Sequence, residues 1–221
     1  MAKVKVWDLP IRLFHWILVA CFAFLFLSGE TGYLFDWHPV IGVVVLALLL
    51  FRIIWGFVGS TTARFSNFLY SPARIIAYAK TLLSPSAEPH AGHNPLGGLM
   101  VFAMLAGLLF QGFTGLFTTD DVLVEGPLYS YVDESTAEWF GSLHHQSFEI
   151  LMPFVVLHIA AIIFYRVYKK ANLVTPMING YSELPEAEAG QLKMVSGWVG
   201  VVLMAACYAV LYFTFRWLAG Y

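Results

Sequence analysis

Charge and cysteine are both scarce in this chain. Only 12% of its 221 residues are Asp, Glu, Lys or Arg, while 59% are hydrophobic. With a mean hydropathy of +0.73, that balance excludes an ordinary soluble domain and a disordered chain, and nothing in it points to nucleic acid. The two cysteines, Cys21 and Cys207, both lie in apolar runs, and C-x-x-C-H does not occur. A disulfide, a thiolate metal centre and a covalently attached c-type haem are therefore not expected. No Cys/His/Asp cluster has the short spacing of a zinc site. There is no internal repeat and no low-complexity tract. The N-terminus is basic, but no small-residue cleavage site follows it, so the first apolar run reads as a retained span.

What the chain does have is long apolar runs. They predict an all-α integral membrane bundle, with a four-helix core and a fifth, C-terminal transmembrane helix. The first run starts near Pro10, a residue favoured at the first helical position, and ends at Ser28-Gly29. The second begins at His38-Pro39. The third spans roughly Leu96 to Phe117, with five glycines that let helices or a flat cofactor come close. The fourth covers about Leu143 to Tyr168, and the fifth about Met194 to Trp217. A surface helix is expected from Pro72 to Leu83. The stretch from Thr118 to Ser142 reads as an acidic loop: it holds Asp120, Asp121, Glu125, Asp133, Glu134 and Glu138, and no Lys or Arg. The division along the chain is 1–181 for a diheme core and 182–221 for a linker and the extra helix.

If the chain crosses five times, every Lys and Arg except Arg216 falls on one side. The positive-inside rule then puts the N-terminus in the cytoplasm of a bacterial inner membrane, with the acidic loop and the C-terminus on the periplasmic side.

Histidine spacing carries the chemistry. His144 and His158 are fourteen residues apart. At about 100° per residue they lie about 40° apart around a helix, and roughly 21 Å apart along it at about 1.5 Å per residue. One helix face thus offers an imidazole near each side of a bilayer core about 30 Å thick. His145 is about 140° away from His158 and points elsewhere. Depth pairs His15 with His158 on the cytoplasmic side and His38 with His144 on the periplasmic side. Two bis-imidazole sites suit two stacked b haems, because neutral imidazole is a haem-iron ligand. Gly29 is fourteen residues after His15 and Gly42 one turn after His38, where each would clear space for a porphyrin. Arg52, fourteen residues after His38, is a candidate cation for a haem propionate. His90 and His93 read as solvated or capping residues. Candidates for a quinone site are Arg64, His93 and Asn94 on the inside, or Gln111, Thr114 and Glu149 farther out. Glu149 would move quinol protons or pair with a polar neighbour.

Several stretches together resemble the bacterial cytochrome b561 and Ni,Fe-hydrogenase cytochrome b subunit family. They are V-W-D-L-P-I-R-L-F-H-W at 6–16, H-P-V-I-G at 38–42, F-R-I-I-W-G-F-V-G-S-T-T-A-R-F at 51–65, G-H-N-P-L-G at 92–97, the H-x13-H pair at 144–158 and P-M-I-N-G at 176–180. The resemblance covers about residues 4–181. It implies a four-helix core that holds two b haems through the four histidines, and electron exchange between membrane quinone and a redox partner. The position after His144 is often Glu in such sequences and is His145 here. The expectation is a diheme electron-transfer subunit linking the quinone pool to a periplasmic c-type cytochrome. The alternative is the membrane anchor of a Ni,Fe-hydrogenase or similar periplasmic dehydrogenase that passes electrons to quinone. A third class is a haem-free structural or transport protein. Lipid surrounds the bundle in every case, and a homodimer is compatible with each.

Overall fold

The computed structural model describes residues 2–84, 90–120, 124–185, 190 and 192–218. Asp121 of the acidic loop and Glu186 and Glu188 of the linker lie outside the described residues. Among the described residues the elements run β1 (Ala2–Lys5), α1 (Leu9–Thr31), α2 (His38–Val58), α3 (Pro72–Lys80), α4 (Pro95–Gly115), α5 (Glu134–Val167), α6 (Val174–Asn179), β2 (Tyr181–Leu184) and α7 (Gly197–Leu218). Helices α1, α2, α4, α5 and α7 are each long and apolar enough to cross a membrane. Their outward side chains are large and apolar: Phe57, Ile150, Trp198 and Trp217 are all exposed. Such surface would aggregate in water and is at home in lipid, so the protein is a multi-pass membrane protein.

The fourth apolar helix departs from expectation. It starts at Glu134, inside the stretch read as a loop, so His144 lies three turns in rather than at the helix start. The reason is a cap. Asp133 Oδ1 accepts the Thr136 amide at 2.9 Å, and the carboxylate also takes the Ser135 and Thr136 hydroxyls. These bonds, Ser135 first, hold its carboxyl at about 2, below the usual 3.8. The cap is therefore intact above the ordinary carboxylate range and is lost as pH falls through about 2. At 34 residues α5 is about 51 Å long, well beyond the bilayer core. Its acidic first turns are surplus to that span. The fifth apolar helix starts three residues later than expected, at Gly197, and α3 ends at Lys80.

The chain folds as two compact units, and the boundary falls inside each of the five long helices. Unit 1 comprises Met1–Leu13, Ile53–Met104 and Pro153–Gly200; unit 2 comprises Phe14–Arg52, Leu105–Met152 and Val201–Tyr221.

Unit 1 gathers most of the sequence motifs. The Asp8 carboxylate, 1% exposed, accepts the Ile11 amide at 2.9 Å and the Trp55 indole N–H at 3.0 Å. One buried acid thus caps α1 and ties it to α2, which accounts for W-D-L-P and I-I-W-G as a pair. The Val6 and Trp7 amides donate to Gly180 O at 2.8 and 3.1 Å. Gly180 has φ +91°, and a Cβ there would sit 2.8 Å from Trp7 O, so P-M-I-N-G ends in the residue this junction needs. Directly after it, β2 pairs antiparallel with β1, Ala2 opposite Leu184 and Lys5 opposite Tyr181. The Thr62 hydroxyl donates to Val6 O. On α7, Gly200 admits the ring of Pro10 and the edge of Trp55.

Unit 2 is built around Leu49, Phe51 and Leu151, each 0–2% exposed. The units differ sharply in charge. The residues of unit 1 include Lys3, Lys5, Arg12, Arg64, Arg74, Lys80, Arg166, Lys169, Lys170 and Lys193, against five acids. Those of unit 2 include only Arg52 and Arg216, against nine acids.

Candidate functional site

Unit 2 brings His38 and His144 together. Their ring centres are 6.3 Å apart and their planes 74° apart. His38 opens α2, and His144 comes from the fourth turn of α5. The two side chains line one apolar cavity of about 340 Å³ with Phe22, Phe26, Leu46 and Phe148. That volume lies at the lower end of the ordinary range for ligand sites, about 300–1,000 Å³.

The hydrogen bonds fix which nitrogen each ring offers. Ser28 Oγ lies 2.9 Å from His38 Nδ1 and 3.2 Å from Leu25 O; with the serine proton on Leu25 O, His38 donates its Nδ1–H to Ser28 and keeps the Nε2 lone pair free. For His144, Nδ1 lies 3.0 Å from Gln111 O, an obligate acceptor, so Nδ1 carries the proton here too. Thr114 Oγ1 also approaches Nδ1, at 3.2 Å. The Gln111 carboxamide nitrogen lies 3.1 Å from His144 Nε2, while its oxygen takes the Ser147 hydroxyl. Both Nδ1 atoms are thus held by oxygen partners, the arrangement that orients a metal-binding histidine.

This donor set fits an iron held between two imidazoles. Two metal–nitrogen bonds of about 2 Å, each followed by about 1 Å to the ring centre, put the centres roughly 6 Å apart. A metal on His144 would take the lone pair now facing the Gln111 carboxamide. The glycines divide into three kinds. A Cβ at Gly115 would lie 2.8 Å from His144 Cε1. At Gly29 it would lie 3.5 Å from His38 Cε1, an ordinary contact, and at Gly42 nothing lies within 4 Å. Gly42 lines the cavity, so the space it leaves is cavity space.

The other sequence candidates are placed as follows. Arg52 is buried in unit 2, 3% exposed. His15, half-buried in unit 2, stands edge-on to Trp16 at 5.0 Å. His158 is half-buried on α5 in unit 1. His145 reaches the cavity lining but is exposed. His93 is not a solvated residue: its ring packs 4.8 Å from Trp7 and 4.5 Å from Phe68. Asn94 caps α4 through the Gly97 amide at 2.7 Å and donates to the Tyr165 hydroxyl at 3.0 Å. Arg64 donates to Gly59 O at 2.7 Å. Gln111 and Thr114, read as quinone candidates, instead hold the His144 ring. Glu149 is exposed on α5. Sequence reasoning gave no role to Ser28 or Ser147 at a histidine, and it placed Gly115 only among five glycines that let helices or a flat cofactor come close.

The role of Ser28 is testable. Ser28→Ala removes the His38 clamp, and loss of such an outer partner costs about 10–100-fold in metal affinity. Titration of haem into the purified, haem-depleted variant is expected to show weakened binding at one site and unchanged binding at any other.

An all-helical membrane bundle with paired imidazoles in an apolar cavity is the architecture of a membrane cytochrome. Residues 6–180 match the prokaryotic cytochrome b561 family, and the chain belongs to that family. Three curated relatives are similar along most of the chain. The "Probable Ni/Fe-hydrogenase B-type cytochrome subunit" of Rhizobium leguminosarum bv. viciae is 25% identical, over 80% of this chain and 88% of the relative. The protein of the same name from Azotobacter vinelandii is 24% identical over 80% and 88%. The "Probable Ni/Fe-hydrogenase 1 B-type cytochrome subunit" of Escherichia coli K12 is 26% identical over 80% and 89%. No solved structure matches. The protein is a membrane b-type cytochrome, and its family implies haem b.

Proposed function

We propose that this chain takes electrons from a periplasmic nickel-iron hydrogenase, or a similar dehydrogenase, and passes them through two b haems to membrane quinone. The observation that carries this reading is the His38–His144 pair, 6.3 Å apart across one cavity with each Nδ1 held by an oxygen. The relatives' names favour a hydrogenase over a c-type cytochrome as the partner. Haem b, when bound, would supply one-electron chemistry, and His38 and His144 would hold it.

The chain's own residues do the rest. Ser28 and Gln111 O set the tautomer and orientation of the periplasmic ligands. Gly29 and Gly42 keep the cavity wall clear. His15 and His158 are the cytoplasmic ligand pair, by the helical phasing of the sequence, and Arg52 is the cation for a propionate. Residues 1–181 form the diheme core, and 182–221 add a linker and α7, consistent with a family match that ends at 180. The charge difference between the units supports a cytoplasmic N-terminus under the positive-inside rule.

A second reading, exchange with a periplasmic c-type cytochrome, rests on the acid excess of unit 2, which would steer a basic partner. One experiment separates the two: purify the tagged protein from its native membrane, identify its companions, and add hydrogen to the membranes. Copurifying hydrogenase subunits and hydrogen-dependent reduction of b haem are expected. A copurifying c-type cytochrome, with haem reduced by quinol but not by hydrogen, would overturn the hydrogenase reading in favour of the second.

A further inference from the structure

We propose that Glu30 and Asp120, which line the His38–His144 cavity, lower the reduction potential of the haem bound there and so fit it to receive electrons from a low-potential donor. This rests on the reading that the two histidines ligate a haem.

The charges around the cavity have one sign. Apart from His38, His144 and His145, the ionisable side chains among the described lining residues are Glu30 and Asp120, and no Lys or Arg is among them. The only bases in the residues of unit 2 are Arg52 and Arg216. Neither lines the cavity, and Arg216 donates to the Tyr212 hydroxyl at 3.0 Å.

The consequence is electrostatic. A single electron turns ferric haem into ferrous haem and lowers its charge by one. Carboxylates nearby stabilise the ferric form and oppose the electron. At about 10 Å and an effective dielectric near 20, one such charge shifts an equilibrium roughly tenfold. Glu30 is exposed and Asp120 half-buried, so both charges meet solvent ions and their effect weakens as salt rises. The haem at this cavity is then harder to reduce than it would be between neutral walls, and it gives up an electron more readily. Glu30 and Asp120 are positioning residues in this scheme: they set a potential and bind no substrate.

The test is an optical redox titration of the purified holoprotein, resolved into its b-haem components. The component missing from His144→Ala is the periplasmic one. In Glu30→Gln and in Asp120→Asn, that component is expected to become roughly three- to tenfold easier to reduce. For one electron this is an upward shift of about 30–60 mV. The other component stays where it was, as do both components in Glu138→Gln, an acid outside the cavity lining. Raising the ionic strength of the wild type should move the periplasmic component the same way, and this holds even if a variant folds poorly. Unmoved potentials in both the variants and the salt series would overturn the proposal while leaving the ligand assignment intact. If His144→Ala keeps both haems, it is the ligand assignment that fails.

Discussion

Replacing His144 with alanine removes one b haem and leaves the other in place. The reduced pyridine spectrum of the purified variant should show about half the haem per chain, with membrane insertion unchanged. The expectation follows from geometry. His144 is part of α5 and faces His38 across 6.3 Å, with its Nδ1–H held by Gln111 O at 3.0 Å. Alanine deletes the imidazole proposed to hold that haem. His145 does not substitute: one residue along a helix rotates a side chain by about 100°, and the structure leaves His145 exposed. His145→Ala should therefore keep both haems, and His38→Ala should match His144→Ala. Insertion should survive, because the five apolar helices that drive it are untouched. The assignment would be inverted by a haem lost from His145→Ala and retained in His144→Ala.

The spacing of residues was enough to read the five spans, because hydropathy is a local property. The first three turns of α5 were not legible that way. Residues 134–143 carry acids and no apolar run, and only the Asp133–Ser135–Thr136 cap marks the helix start. The β1–β2 pair was missed for a different reason: four residues at one end of the chain pair with four residues near position 182. No local pattern reports a pairing over that distance. The clamps on the histidines are the subtlest case. Ser28 reads in the sequence as a helix end, and Gln111 and Thr114 as quinone candidates; that each approaches a histidine Nδ1 depends on contacts between helices, which no local pattern reports. W-D-L-P and P-M-I-N-G were recognised as family marks, and the structure supplies their physical reason: one buried carboxylate and one left-handed glycine join the N-terminus to α2 and α6.

Gly115→Val is expected to cost the haem at the His38–His144 cavity more severely than substitution at Gly29 or Gly42. A Cβ at Gly115 falls 2.8 Å from His144 Cε1 and 3.1 Å from Nδ1, closer than carbon and ring atoms can sit. The imidazole cannot simply swing aside, because Gln111 O and Thr114 Oγ1 hold it. Valine adds two methyls to that conflict. The ring must leave its clamp, and a ligand displaced by about 1 Å is no longer in line with its partner. Gly29→Ala brings only a 3.5 Å contact with His38 and should retain the haem. Gly42 separates packing from cofactor. A Cβ there meets no protein atom within 4 Å, so Gly42→Leu leaves the bundle intact but fills cavity space. Haem content measured against thermal unfolding should place the three apart. Gly115→Val loses one haem through its ligand, Gly42→Leu loses the same haem with unchanged unfolding of the haem-free protein, and Gly29→Ala loses neither. Full haem in Gly42→Leu would mean that the porphyrin lies elsewhere than in this cavity. Full haem in Gly115→Val would mean that His144 can leave its Gln111 clamp and still bind iron.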